Sequence, residues 1–195
     1  MSYRNPIEQV IADPVLLDKE IKNIQTALST LPWLEKSFGR AFRGARAKNG
    51  RKVNYPAIFQ EWRKDLYDAF PNDNIKSYSF IFPEPSEITE YSTKGTHQIE
   101  RDISIIFFFD FERIDNTLEY RFIEKLKEDV IIKLASLKPD KLEINKIIDE
   151  VEEVFNDFSV DEIKPEFLQD KYGALKFECT VFYKNENCDL NTFIP

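Results

Sequence analysis

The chain is poor in the residues that most enzyme sites need. It has one histidine, two cysteines and one methionine in 195 residues. A Ser-His-Asp or Cys-His triad would have to use His97. A zinc centre would need three or four ligands drawn from His97, Cys179, Cys188 and carboxylates, and the Cys179–Cys188 spacing is not that of a metal knuckle. His97 follows Gly95 closely and reads as an exposed turn residue. No catalytic, metal-binding or cofactor-binding residue is expected, and the chain is not expected to be an enzyme. Long apolar runs are also missing: the longest, Ile103–Phe109, is interrupted by Ser104 and falls far short of the ~20 residues that span a bilayer. The N-terminal "MSYRNPIEQVIADP" has no apolar core of a signal peptide, so synthesis in the cytoplasm is expected. Two cysteines fit a reducing compartment.

Hydrophobic residues make up 42% of the chain, with 17 Phe and 8 Tyr, enough for a real core. One domain over 1–195 is expected, with an N-terminal arm (1–14) and a C-terminal tail (184–195). Asp13-Pro14 suits the start of a helix, with Asp13 as N-cap and Pro14 as first helical residue. Leu17, Ile21, Ile24, Leu28 and Leu31 then recur at steps of four and three, giving one apolar face. Phe59, Trp62, Leu66 and Phe70 have helical spacing and predict a second helix, stopped at Pro71-Asn72-Asp73. "SYSFIF" (77–82) reads as a strand, and a short extended piece is expected near Ile88–Tyr91. A long strand runs from about Gln98 to Phe111. Ile103, Ile105, Phe107, Phe109 and Phe111 line one face, while Ile106 and Phe108 on the other predict burial on both sides.

Ile123, Leu126, Val130, Leu134 and Leu137 mark a further helix. Pro139-Asp140 breaks it, and Ile144, Ile147, Val151, Val154 and Phe158 predict another. In "YGALKFECTVFYK" Leu175, Phe177, Cys179, Val181 and Tyr183 alternate with Lys176, Glu178, Thr180 and Lys184 and predict a half-buried antiparallel-type strand. Helices and strands do not alternate regularly, so the expected class is α+β, an antiparallel or mixed sheet packed against helices.

Against this background one segment is unusual. Residues 36–52 carry seven basic side chains (Lys36, Arg40, Arg43, Arg46, Lys48, Arg51, Lys52) and no acidic one, in a chain of net charge −8. Three of the five glycines, Gly39, Gly44 and Gly50, fall within it, so 36–54 is expected to be an irregular basic loop. Three partners suit such a loop: nucleic acid, a phosphate ligand, or an acidic surface on a neighbouring subunit. Phe38 and Phe42 interleave with Arg40 and Arg43, which would let bases stack in a single-strand binder. An acidic countersurface lies in 143–170, net −8 and including Glu150, Glu152, Glu153 and Asp157. Opposite patches on one molecule suit head-to-tail contacts, which close into rings. A solvated loop and a solvated helix face account for the same charges.

Two motifs fail on mechanism. Gly39–Gly44 has phosphate-loop spacing, but Ala45-Arg46 follows where Lys and Ser/Thr are needed. Pro139-Asp140 and Glu162-Ile163-Lys164 imitate the PD…ExK pattern of metal-dependent nucleases, but the pieces are not on the adjacent strands that chemistry needs.

The order of elements resembles the tail-terminator or tail-completion (neck ring) proteins of tailed bacteriophages, of the type seen in phages of Bacteroidetes. Four pieces carry the likeness: the N-terminal amphipathic helix into "LPWLEKSFGRAF", "NYPAIFQ…YDAFPNDNIKSYSFIFPEP", "RDISIIFFFDF" followed by a helix, and the closing "YGALKFECTVFYKNENC". The resemblance implies a virion structural protein of tail or neck, usually a six-fold ring, capping the tail tube and joining it to the head connector. Its partners would be copies of itself, tail-tube and connector proteins, and DNA passing through the lumen without sequence specificity, with no membrane and no cofactor. In that setting the basic residues either grip the acidic face of another subunit or a neighbouring ring, or face the lumen and meet DNA phosphates; the first is preferred, since a lumen that gripped DNA tightly would slow its passage. The alternatives are a nucleic-acid-binding protein using 36–52, or a PD-ExK-type nuclease.

Overall fold

The computed structural model describes residues 7–8, 13–48, 50–60, 64–69, 74–91, 97–114, 122–137, 141–159 and 171–184; the side chains of residues 7, 8, 48, 60, 86, 89–91 and 97 lie outside that description. The elements are β1 (Ile7–Glu8), α1 (Leu17–Leu28), β2 (Lys36–Lys48), β3 (Arg51–Gln60), β4 (Asp65–Asp68), β5 (Ser77–Tyr91), β6 (His97–Asp110), α2 (Phe111–Ile114), α3 (Phe122–Ala135), β7 (Leu142–Ile148), α4 (Val151–Val154) and β8 (Tyr172–Lys184). Eight strands form one mixed sheet in the order β4-β3-β2-β5-β6-β8-β7, with β1 beside β2. The β1–β2 and β2–β5 pairs are parallel and the others antiparallel. The fold is α+β, as the irregular order of helices and strands predicts.

The long central strand is buried on both faces. Ile103, Ile105, Phe107 and Phe109 face α1 and α3 and meet Leu175, Phe177, Cys179 and Val181 of β8. Ile106 and Phe108 point the other way, into a second cluster with Phe38, Tyr78, Phe80, Val154, Phe155 and Phe158. Each fully buried Phe contributes about 1.5–3 kcal/mol of transfer free energy. Trp33 ties the layers together: its ring lies 5.8 Å from that of Phe107, and its indole N–H donates to Asp129 on α3 at 3.2 Å. The polar Gln25 on the buried face of α1 donates to the Ser37 carbonyl at 2.8 Å, so the helix is pinned to the start of β2. Among the described residues no helix is long and apolar enough to cross a membrane.

Four expectations need correction. The first helix begins at Leu17, not Pro14; Leu16 (φ 47°) stands at its N-cap with no side-chain cap, and Asp13 does not cap it. Residues 36–54 are not a loop but β2, a turn, and the start of β3. Their glycines serve the hairpin. A Cβ on Gly44 would sit 2.6 Å from the cross-strand Tyr55 ring, and Gly50 turns the chain at φ +76°.

The expected helix from Phe59 to Phe70 is absent where described: β3 runs to Gln60, β4 covers 65–68, and Phe59 faces Leu66 across an antiparallel pair. A seven-residue gap suits two helical turns, and it also suits two strand positions closing on each other. The expected helix from Ile144 to Phe158 divides into β7 and the single turn α4. An irregularity between Ile144 and Lys146 adds a residue to β7, so Ile144 and Ile147 both reach the α3 side despite helix-like spacing. The short extended piece near Ile88 is the far end of β5 itself.

Candidate functional site

The basic segment is an ordered antiparallel pair, so its side chains alternate between two faces. Ala41 and Ile58 are register partners and both enter the second core cluster. Arg43 lies on that same face. Its guanidinium sits 5.5 Å from the centroid of the Phe82 ring and 3.9 Å from Asp157. Asp157 also accepts from Lys176 at 3.2 Å, and the Lys176 side chain is 5% exposed. Glu178 stands 3.4 Å from the same ammonium. A buried ammonium needs such carboxylates, because desolvation without a partner costs several kcal/mol.

Arg40, Phe42 and Arg46 lie on the opposite face, the side that α1 covers. Arg40 meets Asp18 of α1 at 3.3 Å and lies 5.4 Å from the centroid of the Phe42 ring. Arg46 meets Asp68 of β4 at 2.8 Å and lies 4.8 Å from the Tyr55 centroid. Lys36 is half-buried at the start of β2, and Arg51 and Lys52 are exposed past the turn. The Lys48 side chain lies outside the described residues.

The acidic candidates divide as well. Glu150, Glu152 and Glu153 are exposed around α4, and Asp157 is held by Arg43 and Lys176. The structure therefore brings Arg43 and Asp157 together within one chain. It leaves Glu150, Glu152 and Glu153 without a described ion pair. Arg40, Arg43 and Arg46 each have a carboxylate partner of their own chain, so the basic segment is partly neutralised before any partner arrives.

Sequence reasoning named Phe42 as a stacking candidate but missed the exposed surface it forms with Phe59 and Leu66. Phe42, Phe59 and Leu66 are 39%, 39% and 43% exposed. Phe59 and Leu66 are direct cross-strand partners, and Phe42, next to the inward Ala41, points to the same α1 side of the sheet as Phe59, next to the inward Ile58. The helical spacing that assigned Phe59 and Leu66 to a core face was the misleading signal.

The remaining chemistry-bearing groups are scattered. Burial pushes the Cys179 thiol up to about 12, with Glu178 adding to the shift, so it stays protonated at neutral pH. An open cavity of about 260 Å³ is lined by Glu84, Asp102, Ser104, Asn145, Glu178 and Cys179. Asp102 there accepts from the Thr180 hydroxyl, which accepts from the Asn145 amide. Among the described residues no group of His, Cys, Asp and Glu is placed to hold a metal ion. Gly39 and Gly44 lie within β2, not in a phosphate-binding loop opening a helix. Pro139, Asp140, Glu162 and Lys164 lie outside the described residues, as do Cys188 and the His97 side chain.

No protein-family model matches the chain, and no curated protein sequence matches it.

Proposed function

We propose that the chain is a virion structural protein of a tailed bacteriophage, forming a ring at the tail or neck. The ring caps the tail tube and joins it to the head connector, with DNA passing through its lumen. The observation that carries this reading is the exposed Phe42–Phe59–Leu66 set on an ordered, arginine-bearing hairpin. Aromatic and arginine side chains together are the composition of protein interface centres. The likeness of element order to tail-terminator proteins supplies the setting.

Native mass across a concentration range, with negative-stain images, tests the reading. A ring of about six copies is expected, closed by head-to-tail contacts. A monomer at every concentration, with no ring in the images, refutes it for the free chain.

A second reading has its own observation. The Arg40–Phe42 and Arg46–Tyr55 pairs set guanidinium groups over aromatic rings on one sheet face, and arginine and aromatic side chains together are what a single-strand-binding surface offers to unpaired bases. Salt-dependent binding of single-stranded DNA by the monomer would support it. No binding near physiological salt would end it.

A further inference from the structure

Two exposed apolar surfaces on this chain match each other. The first is the sheet face just described: Phe42, Phe59 and Leu66, with Arg40 and Arg46 beside them. The second is on α3. Leu126, Val130 and Leu134 of that helix are buried, and the opposite stripe carries Glu124, Glu128, Ile131, Ile132 and Ala135, all exposed. These fall at i, i+4, i+7, i+8 and i+11, one continuous helical face. Ile131 and Ile132 are 38% and 58% exposed. Exposed isoleucines on a helix have no propensity to recommend them, since β-branching restricts their rotamers there. Single exposed apolar residues are ordinary; two adjacent ones in line with two carboxylates make a surface.

The two surfaces are complementary in charge and in spacing. On the strand, Phe42 and Arg46 are four residues apart, about 13 Å. On the helix, Ile131 and Ile132 stand seven and eight residues from Glu124, about 10–12 Å. When the isoleucines lie against Phe42 and Phe59, the carboxylate end of the stripe reaches the arginine end of the hairpin. Arg46 already holds Asp68, and Glu124 already accepts from Lys127 at 2.7 Å, but a guanidinium has five N–H donors and a carboxylate about four lone-pair sites, so each serves two partners.

The surfaces also lie apart within one chain. The buried side of α3 packs with Leu175 and Phe177 of β8, and Lys127 of α3 bonds to Asp149 just past β7. The aromatic face is at the β2-β3-β4 end of the strand order. One copy therefore offers a different surface to each neighbour, the arrangement a ring requires.

We infer that the β2-β3-β4 face carrying Phe42, Phe59 and Leu66 docks onto the outer α3 stripe of a second copy. The contact takes its apolar centre from Phe42 and Phe59 against Ile131 and Ile132, and its orientation from Arg46 against Glu124 and Glu128. Its biological setting rests on the ring reading above.

The test uses full-length Phe42→Glu, Leu66→Glu and Ile132→Glu chains, with Ile88→Glu as control because Ile88 is 63% exposed on β5, outside both surfaces. Far-UV circular dichroism confirms folding, and sedimentation reads association. Each of the first three variants is expected to weaken self-association at least ~30-fold, the size of a hot-spot loss. Ile88→Glu is expected to associate as wild type does. An equimolar mixture of Phe42→Glu and Ile132→Glu retains one intact surface on each chain and is expected to stop at a two-chain complex.

Association of the folded single variants at wild-type strength overturns the inference, and so does a mixture that stays monomeric. Rings that persist in all three variants leave the neck reading standing while this contact falls. A two-chain complex in the mixture without any wild-type ring does the reverse.

Discussion

Asp157→Ala separates a folding role from an interface role for the acidic segment. The carboxylate accepts from Lys176 at 3.2 Å and lies 3.9 Å from Arg43. The Arg43 side chain is 48% exposed, so its pair contributes about 0–1 kcal/mol. Lys176 is different, because its side chain is 5% exposed and a hydrogen bond between charged groups there contributes about 1.5–3 kcal/mol. Glu178 at 3.4 Å keeps part of the ammonium satisfied, so the full cost of an orphaned buried charge is not reached. The expected loss is about 2–4 kcal/mol, a melting temperature lower by roughly 4–16 °C for a chain of this size.

Thermal and urea unfolding of Asp157→Ala, Arg43→Ala, Lys176→Met and the Asp157→Ala/Lys176→Met double variant form the assay. Arg43→Ala is expected to cost ~1 kcal/mol or less. The double variant is expected to recover most of the loss, because the buried charge has gone with its partner. If Asp157→Ala costs no more than Arg43→Ala, or the double variant adds the two losses, then Asp157 does not neutralise Lys176 and the argument fails.

Gly44→Ala places a methyl 2.6 Å from the Tyr55 ring and is expected to cost ~1–3 kcal/mol by overpacking; Tyr55→Ser should relieve most of that cost in urea unfolding of the double variant. Reversal of Arg40, Arg43 and Arg46 to Glu sets three carboxylates against Asp18, Asp157 and Asp68, so the melting temperature should fall in the isolated chain, before any assembly is measured. Burial also raises Tyr183 to about 12, with the Glu87 carboxylate adding to it. For Cys179 and Tyr183 the folded pKa lies above the ordinary values of 9.0 and 10.0. Their contribution to stability is therefore complete below pH 9 and lost as pH rises toward 12. Melting temperature against pH should fall across that window, and less steeply in Cys179→Ala; an unchanged slope would refute the Cys179 part.

Apolar–polar alternation made β8 legible, and the apolar run Ile103–Phe109, filling both faces, made the centre of β6 legible. The apolar stripe of α3 was legible for the same reason at a period of 3.6. Phe59 and Leu66 were not, because their sevenfold spacing is shared by a helix face and a closing hairpin. Ile144 and Ile147 were not, because an inserted residue in β7 mimics a helical step. The basic segment was visible as a charge run, but its form was not: the glycines that suggested a loop are a slot for Tyr55 and a turn.

By itself the sequence determined composition, charge and local period, and these are enough to name an α+β chain and its central strands. Which arginine meets which carboxylate was decided by tertiary structure alone. Arg43 and Asp157 are 114 positions apart in sequence, and no local period connects them. Exposure is likewise a property of the assembled layers: Phe38 and Phe42 are four residues apart and would share one face of a regular strand, but the register shift between Ser37 and Arg40 turns them to opposite faces, Phe38 into the core and Phe42 to a partly exposed surface.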